Sequence, residues 1–342
     1  MKKGANILLI YTGGTIGMIK DFETGALKAF NFDELLQNIP ELKLLEHTID
    51  TVTFEEPIDS SNMNPKYWVD MAEIIENNYD NYDGFVVLHG SDTMSYSASA
   101  LSFMFENLAK PIIFTGSQLP IGDLRTDAKE NLITSIQIAG LQKNGKPVIA
   151  EVGLYFEYKL YRGNRTTKIN AEHFEAFASL NYPELVESGV HLKVNHTALK
   201  IPNRRKKLIL HTDLDDNIIV IKLFPGVNQK ILEQILNIEN LKGIVFETYG
   251  SGNATSSNWF IDLVKKTIKR GVVIINVTQC SGGSVAMGQY ETSVALKKIG
   301  VISGEDMTTE SAVAKLMFLL GKNLAPNVFK TIFETSLRGE IS

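Results

Sequence analysis

Tyr11-Thr12-Gly13-Gly14-Thr15-Ile16-Gly17-Met18 follows directly on an apolar run, Ile7 to Ile10. Such a run reads as a buried strand. Two glycines straight after a strand mark a sharp turn at which backbone can approach a ligand closely. The Thr15 hydroxyl then stands just beyond the strand's carboxyl end, where open α/β sheets take their ligands. The rest of the chain is organised around this turn.

Working outward, short apolar runs alternate with longer helical patterns, as in a parallel sheet. Strands are expected at Asn6–Tyr11, His47–Phe54, Gly84–His89, Pro111–Thr115 and Pro147–Leu154, with helices at Asn64–Tyr79, Asp92–Asn107 and Asp127–Lys143. Tyr155–Lys168 is polar and aromatic and fits a hairpin or an ordered loop. From Val190 to Lys207 the pattern fades into a polar stretch with Pro202 and the run Arg204-Arg205-Lys206-Lys207. That composition suits a linker. Alternation resumes with strands at Ile218–Leu223, Gly243–Thr248 and Val272–Val277. Helices are expected after Pro225-Gly226, at Asn258–Arg270 and at Thr308–Leu320. The fold class is α/β, with largely parallel sheets and domains at 1–189 and 208–342 joined by the linker 190–207.

Composition narrows the function. At roughly 150 residues per domain, 342 residues suit about two domains. A hydrophobic fraction of 44% and a charged fraction of 21% suit a chain that buries sizeable cores. A net charge of −5 offers no broad basic field for nucleic acid. The one cysteine, Cys280, rules out an intrachain disulfide and suits a reducing compartment. No apolar stretch approaches a membrane span, and the start lacks a signal-peptide pattern. A cytoplasmic location is expected.

Three more stretches could carry chemistry. Leu88-His89-Gly90-Ser91-Asp92-Thr93-Met94 also follows an apolar strand and opens a helix. Ser91 or Asp92 alone reads as a helix cap. Should the two glycine-hydroxyl turns end neighbouring strands, however, two hydroxyls and a carboxylate converge at one rim. His89 reads as a buried histidine rather than a base. Tyr161-Arg162-Gly163-Asn164-Arg165-Thr166-Thr167-Lys168 is either a solvated loop or the seat of a catalytic lysine. Ile58-Asp59-Ser60-Ser61-Asn62-Met63-Asn64 offers helix-capping residues, or hydroxyls and N–H groups for a small zwitterion. Other motifs fail. Gly140–Lys146 has P-loop spacing, but Pro147 replaces its Ser/Thr, and the run leads into a strand. No dinucleotide fingerprint, no G-x-S-x-G elbow and no metal-ligand spacing occurs.

Taken together, Thr12-Gly13-Gly14-Thr15-Ile16-Gly17, Asp59-Ser60-Ser61, His89-Gly90-Ser91-Asp92-Thr93-Met94, Arg162–Lys168 and Gly304-Glu305-Asp306-Met307-Thr308 resemble the bacterial-type L-asparaginases, in their cytoplasmic type I branch. The five motifs stand in the family's order across nearly the whole chain. The resemblance implies a larger N-terminal α/β domain, a linker and a smaller C-terminal one. It implies hydrolysis of L-asparagine to L-aspartate and ammonia, with no cofactor or metal, by a homo-oligomer (a dimer or a dimer of dimers). Thr15 matches the nucleophile. Ser91, Asp92 and Lys168 match a second triad. Asp59, Ser60, Ser61 and Gly90 match the substrate-binding residues, and Ser117 falls where the side-chain amide is held. An ammonium beside a carboxylate resists acting as a base, so Lys168 is assigned to a proton relay.

Three positions depart from the family's pattern. Ser91 stands where threonine is usual, keeping the hydroxyl and losing a methyl. Ala26, within Thr24-Gly25-Ala26-Leu27, stands where a tyrosine is usual on the loop after Thr15. Glu247 stands where some relatives have an arginine for a second, regulatory asparagine. A carboxylate there repels the ligand's own carboxylate, which argues against that regulation. The alternatives are a glutaminase-asparaginase, the tRNA-dependent amidotransferase subunit and a non-catalytic asparagine sensor. Only eleven residues precede Thr12, where the amidotransferase subunit carries an extra domain. Intact Thr15, Asp92 and Lys168 weigh against the sensor.

Overall fold

The computed structural model describes residues 4–20, 27–29, 39–289 and 291–342. The chain forms two compact units, Met1–His211 and Thr212–Ser342. Ala26 lies outside the described residues.

The first unit's main sheet, a small hairpin beside it and three helices position the site. The strands are β1 (Asn6–Gly13), β2 (Thr48–Ile58), β3 (Gly84–Leu88), β4 (Ile112–Thr115), β5 (Val152–Phe156), β6 (Lys159–Arg162), β7 (Thr167–Lys168), β8 (Phe177–Ala178), β9 (Val186–Glu187) and β10 (Lys193–Val194). The helices are α1 (Pro65–Asn78), α2 (Met94–Met104) and α3 (Ala128–Ala139). Eight strands make one sheet, in the order β10-β9-β6-β5-β4-β3-β1-β2. From β2 to β5 the pairs are parallel. From β5 to β10 they are antiparallel. The central strands β3 and β4 are buried at every residue, as a sheet covered on both faces requires.

Local chemistry explains the element ends. Asn64 caps α1 by accepting from the Lys66 N–H, Pro65 opens the helix, and Trp68, Met71, Ala72 and Ile75 form its buried stripe. The helix expected from Asp92 begins at Met94, because Ser91–Thr93 first makes a 3₁₀ turn. The strand expected over Pro147–Leu154 is confined to Val152–Phe156, since Lys146–Pro147 instead pairs with Gln142–Lys143 in a hairpin. Tyr155–Lys168 contains the other hairpin. Glu157 and Tyr158 both take positive φ (43° and 69°), the two-residue geometry that suits paired antiparallel strands.

The stretch 190–207, expected as a linker, packs on the first unit. Its Lys193–Val194 is the edge strand β10. Arg204 donates to the carbonyls of Ala109 and Pro147.

In the second unit, β11 (Ile218–Lys222), β12 (Gly243–Thr248), β13 (Val273–Thr278) and β14 (Ile302–Ser303) form a parallel sheet in chain order. Helices α4 (Gln229–Leu236), α5 (Asn258–Lys269) and α6 (Glu291–Ile299) share a core with it that includes Leu232, Phe260 and Leu296. Two more helices follow, α7 (Thr309–Gly321) and α8 (Pro326–Phe333). Both α6 and α8 lack a sequence expectation. Lys315 of α7 is fully buried, yet it donates to Phe333 O, Thr335 O and the Glu340 carboxylate, which ties the chain's end to that helix. No helix among the described residues is long and apolar enough to cross a membrane.

Candidate active site

Strand β1 lies between β2 and β3, so the parallel order is 2-1-3-4-5. Successive crossovers leave in opposite directions between β1 and β3, opening a crevice at their carboxyl ends. Both glycine-hydroxyl turns are at that switch point. Tyr11 is in register with Leu88, and the Thr12 hydroxyl donates to Leu88 O at 2.9 Å across the pair.

The turns touch through glycine. Gly14 takes φ 86°, and a Cβ there would stand 2.5 Å from the Gly90 nitrogen. A Cβ on Gly90 would stand 2.5 Å from the Ser60 Oγ. Thr15 and Ser91 each directly follow one of these contacting glycines. Thr93 ties in the third loop by donating to Ser60 O at 2.8 Å.

Within the third loop, the Asp59 carboxylate accepts from both the N–H and the hydroxyl of Ser61, at 2.9 Å each. These bonds hold the Asp59 carboxyl below the usual range. Ser60 is buried and Ser61 exposed.

Lys168 arrives from across the fold on β7. The segment before it is no solvated loop: Arg162, Asn164, Arg165 and Thr166 are all buried. The Arg162 guanidinium pairs with Glu151 at 2.6 Å and stacks on Tyr182. Arg165 donates to Asn181 O. The Thr166 hydroxyl donates to the Ser95 Oγ at 3.2 Å, fastening the segment to the start of α2. The Lys168 Nζ then donates to the Ser91 Oγ at 2.8 Å and to the Asp92 Oδ1 at 2.7 Å. The Lys168 side chain is 16% exposed and that of Asp92 67%, so the pair has one sheltered member and one facing solvent.

His89 is buried and serves the frame. Trp68 Nε1–H donates to the Ser97 Oγ at 2.9 Å, and Ser97 meets His89 Nε2 at 2.8 Å. His89 Nδ1 meets Gly90 O at 2.7 Å. Only one tautomer satisfies this chain: Ser97 O–H donates to Nε2, and Nδ1–H donates to Gly90 O. Burial pushes the imidazole down to about 4, so it is neutral at pH 7.

Ser117, expected to meet the side-chain amide, is buried, and its hydroxyl donates to Leu119 O at 2.6 Å. Its neighbour Gln118, which carried no sequence expectation, accepts from the Ser91 hydroxyl at 3.3 Å through its side-chain Oε1. The only signal for it was its place in the turn just past β4. Among the described residues no group of three or more His, Cys, Asp or Glu could hold a metal ion.

Two family models match the chain: Asparaginase, N-terminal, over residues 6–200, and Glutaminase/Asparaginase C-terminal domain, over residues 217–333. L-asparaginase 1 of Escherichia coli is 40% identical over 338 residues, with 98% of each chain covered. The crystal structure of L-asparaginase I from Vibrio cholerae superposes with TM-score 0.89 at 40% identity, covering 99% of both chains. The thermostable L-asparaginase from Thermococcus kodakarensis gives 0.89 at 32%, covering 98% of this chain and 99% of its own.

Proposed function

The chain belongs to the asparaginase family and is an amidohydrolase that turns L-asparagine into L-aspartate and ammonia, and from that premise we propose that Thr15 is its nucleophile and Ser91, Asp92 and Lys168 its proton relay. The observation that carries the assignment is the β1/β3 switch point. It joins the Thr15 turn to the Ser91-Asp92 turn, and Lys168 is bonded to the second.

The chemistry runs in two halves. The Thr15 oxygen attacks the side-chain amide carbon as its proton leaves toward the relay. The resulting oxyanion is met by backbone N–H groups of the glycine turns. The C–N bond then breaks, the nitrogen takes a proton and departs as ammonia, and an aspartyl ester remains on Thr15. Water attacks this ester, giving L-aspartate and restoring the hydroxyl. Lys168 bonds both Ser91 and Asp92, which fits it to pass charge along that line.

Substrate binding follows from the charges. The exposed Asp92 carboxylate accepts the α-ammonium. Asp59, held ionised by Ser61, adds negative charge for the same group. The Ser60 hydroxyl beside Gly90 and the Ser61 backbone are assigned to the α-carboxylate, with Gly90 allowing the approach. Ser117 is assigned through its backbone, because its hydroxyl is taken.

We also assign a cytoplasmic location, in keeping with a single, exposed, unpaired cysteine. A homo-oligomeric assembly is assigned on the resemblance. A light-scattering mass equal to one fully active 38.0 kDa chain would overturn it.

The test is ammonia release from L-asparagine and L-glutamine by the native chain and by Thr15→Val. The expected loss on asparagine is at least about 10³-fold. Turnover surviving the substitution would move the nucleophile to Ser91. The glutamine rate separates asparaginase from glutaminase-asparaginase.

A further inference from the structure

The Ser91 side chain has two bonded neighbours. Lys168 Nζ donates to its oxygen at 2.8 Å, and its own hydroxyl donates to the Gln118 Oε1 at 3.3 Å. Serine lacks the branching methyl that restricts threonine at χ1, so its side chain changes rotamer more readily unless something holds it. Gln118 is built to hold it. Its amide Nε2 donates to Ala171 O at 3.1 Å and His173 O at 3.0 Å. Two carbonyls facing the nitrogen fix which end of the amide is which, leaving Oε1 to face Ser91.

The Gln118 backbone is fixed as well. Its N–H donates to both carboxylate oxygens of Asp127, at 3.2 and 2.9 Å, and the Leu119 N–H donates to one of them at 3.1 Å. Asp127 is buried at the head of α3, and Asn131 donates to its carboxylate at 3.2 Å.

The residues Gln118 grips also belong to the lysine's support. β7 pairs with β8, Lys168 standing opposite Phe177. Asn170 closes the intervening turn by accepting from the N–H groups of Glu172 and His173. Gln118 therefore connects the Ser91 hydroxyl to the hairpin that carries Lys168.

We propose that Gln118 is a positioning residue for the reaction: it holds the Ser91 proton away from Lys168, so that the serine lone pair faces the ammonium, and it keeps the Lys168 hairpin in reach. This rests on the relay assigned to Ser91, Asp92 and Lys168. Gln118 itself touches no reacting atom in this scheme.

The test is a double-mutant cycle on asparagine turnover, using Gln118→Met and Ser91→Thr. Gln118→Met lowers kcat about 10-fold and leaves KM within about twofold, because the substrate-binding groups are untouched. Ser91→Thr supplies the second background, and each loss is measured against its own parent rate. In the Ser91→Thr background the branched side chain fixes its own χ1 and thereby the place of its oxygen, and the Gln118→Met loss shrinks to about threefold or less. Equal losses in both backgrounds, or no loss in the native one, overturn the proposal. Should Gln118→Met fail to fold, Gln118→Asn serves in the same cycle, its amide one methylene too short to bridge. Lys168→Met, run alongside, tests the relay separately. If it keeps the native rate, the relay assignment fails, whatever Gln118 does.

Discussion

The main sheets of the two units differ in one respect that decides their chemistry. In the first unit the order 2-1-3-4-5 reverses direction between β1 and β3. In the second, β11 to β14 follow one another in chain order, with no reversal. A reversal sends the flanking loops apart and leaves a crevice at the carboxyl ends. Consecutive order supplies no such switch point. The polar residues at the two rims follow suit. At the first rim Asp92 is exposed and Thr15 half-buried, held by glycine turns that only small residues permit. At the second, Thr248 donates to Asn276 Oδ1 at 2.6 Å, and Asn276 donates to Gly252 O at 3.0 Å. Glu247 accepts from Thr309 at 2.7 Å. Hydroxyl, amide and carboxylate there satisfy one another and reinforce the fold.

The largest expected effect breaks the first rim at its tightest point. Gly14→Ala puts a methyl 2.5 Å from a backbone nitrogen that cannot swing aside, at a φ of 86° that already disfavours it. The β1 and β3 turns must separate, and the proposed alignment of Thr15 with Ser91 goes with them. Misplacement by about 1 Å costs on the order of 10²-fold. We expect asparagine turnover to drop at least that far while far-ultraviolet circular dichroism retains the native profile. A variant with near-native kcat would show that contact between the turns does not set the geometry.

Much of the first rim was legible in sequence because glycine and hydroxyl residues directly after apolar strands have few other uses. Thr12–Thr15 and Gly90–Asp92 announce their turns by local chemistry alone. Their adjacency in space depended on strand order, which five apolar runs of similar character do not encode. For the segment Arg162–Thr166 a solvated loop stays open as one of two readings, because charged residues usually face water. Its burial depends on Glu151, Tyr182 and the Asn181 carbonyl, partners remote in sequence. Gln118 is silent in the sequence for the same reason, since its partners Ser91, Ala171 and His173 are remote along the chain. His89 was legible as a buried residue. Its direction of hydrogen bonding needed Trp68 and Ser97.

That histidine gives an intermediate effect, on stability. Its folded value of about 4 lies below the usual 6.5, so the fold favours the neutral ring. The contribution is complete above pH 6.5 and disappears as pH falls through 4, because the unfolded chain takes the proton first. A gap of that size corresponds to about 3 kcal/mol. Denaturant titrations at pH 7.5 and 4.5 should show a native stability loss that His89→Gln lessens by a large part of that amount. Equal losses in both proteins would mean that acid acts on other groups and that His89 is not held neutral by its surroundings.

The smallest expected effect tests the second rim. Glu247→Gln retains an oxygen to accept from Thr309 and gives up only the charge that faces Lys222 at 3.6 Å. Lys222 is 63% exposed, so water screens that pair. Exposed ion pairs of this kind contribute at most about 1 kcal/mol. Stability should therefore fall by no more than this, and kcat on asparagine should stay within about twofold, since a self-satisfied rim with no switch point offers the reaction no free polar group. A tenfold fall in kcat with the fold intact would join the second sheet's carboxyl end to the chemistry. The contrast between a reversed and a consecutive strand order would then no longer explain where the enzyme works.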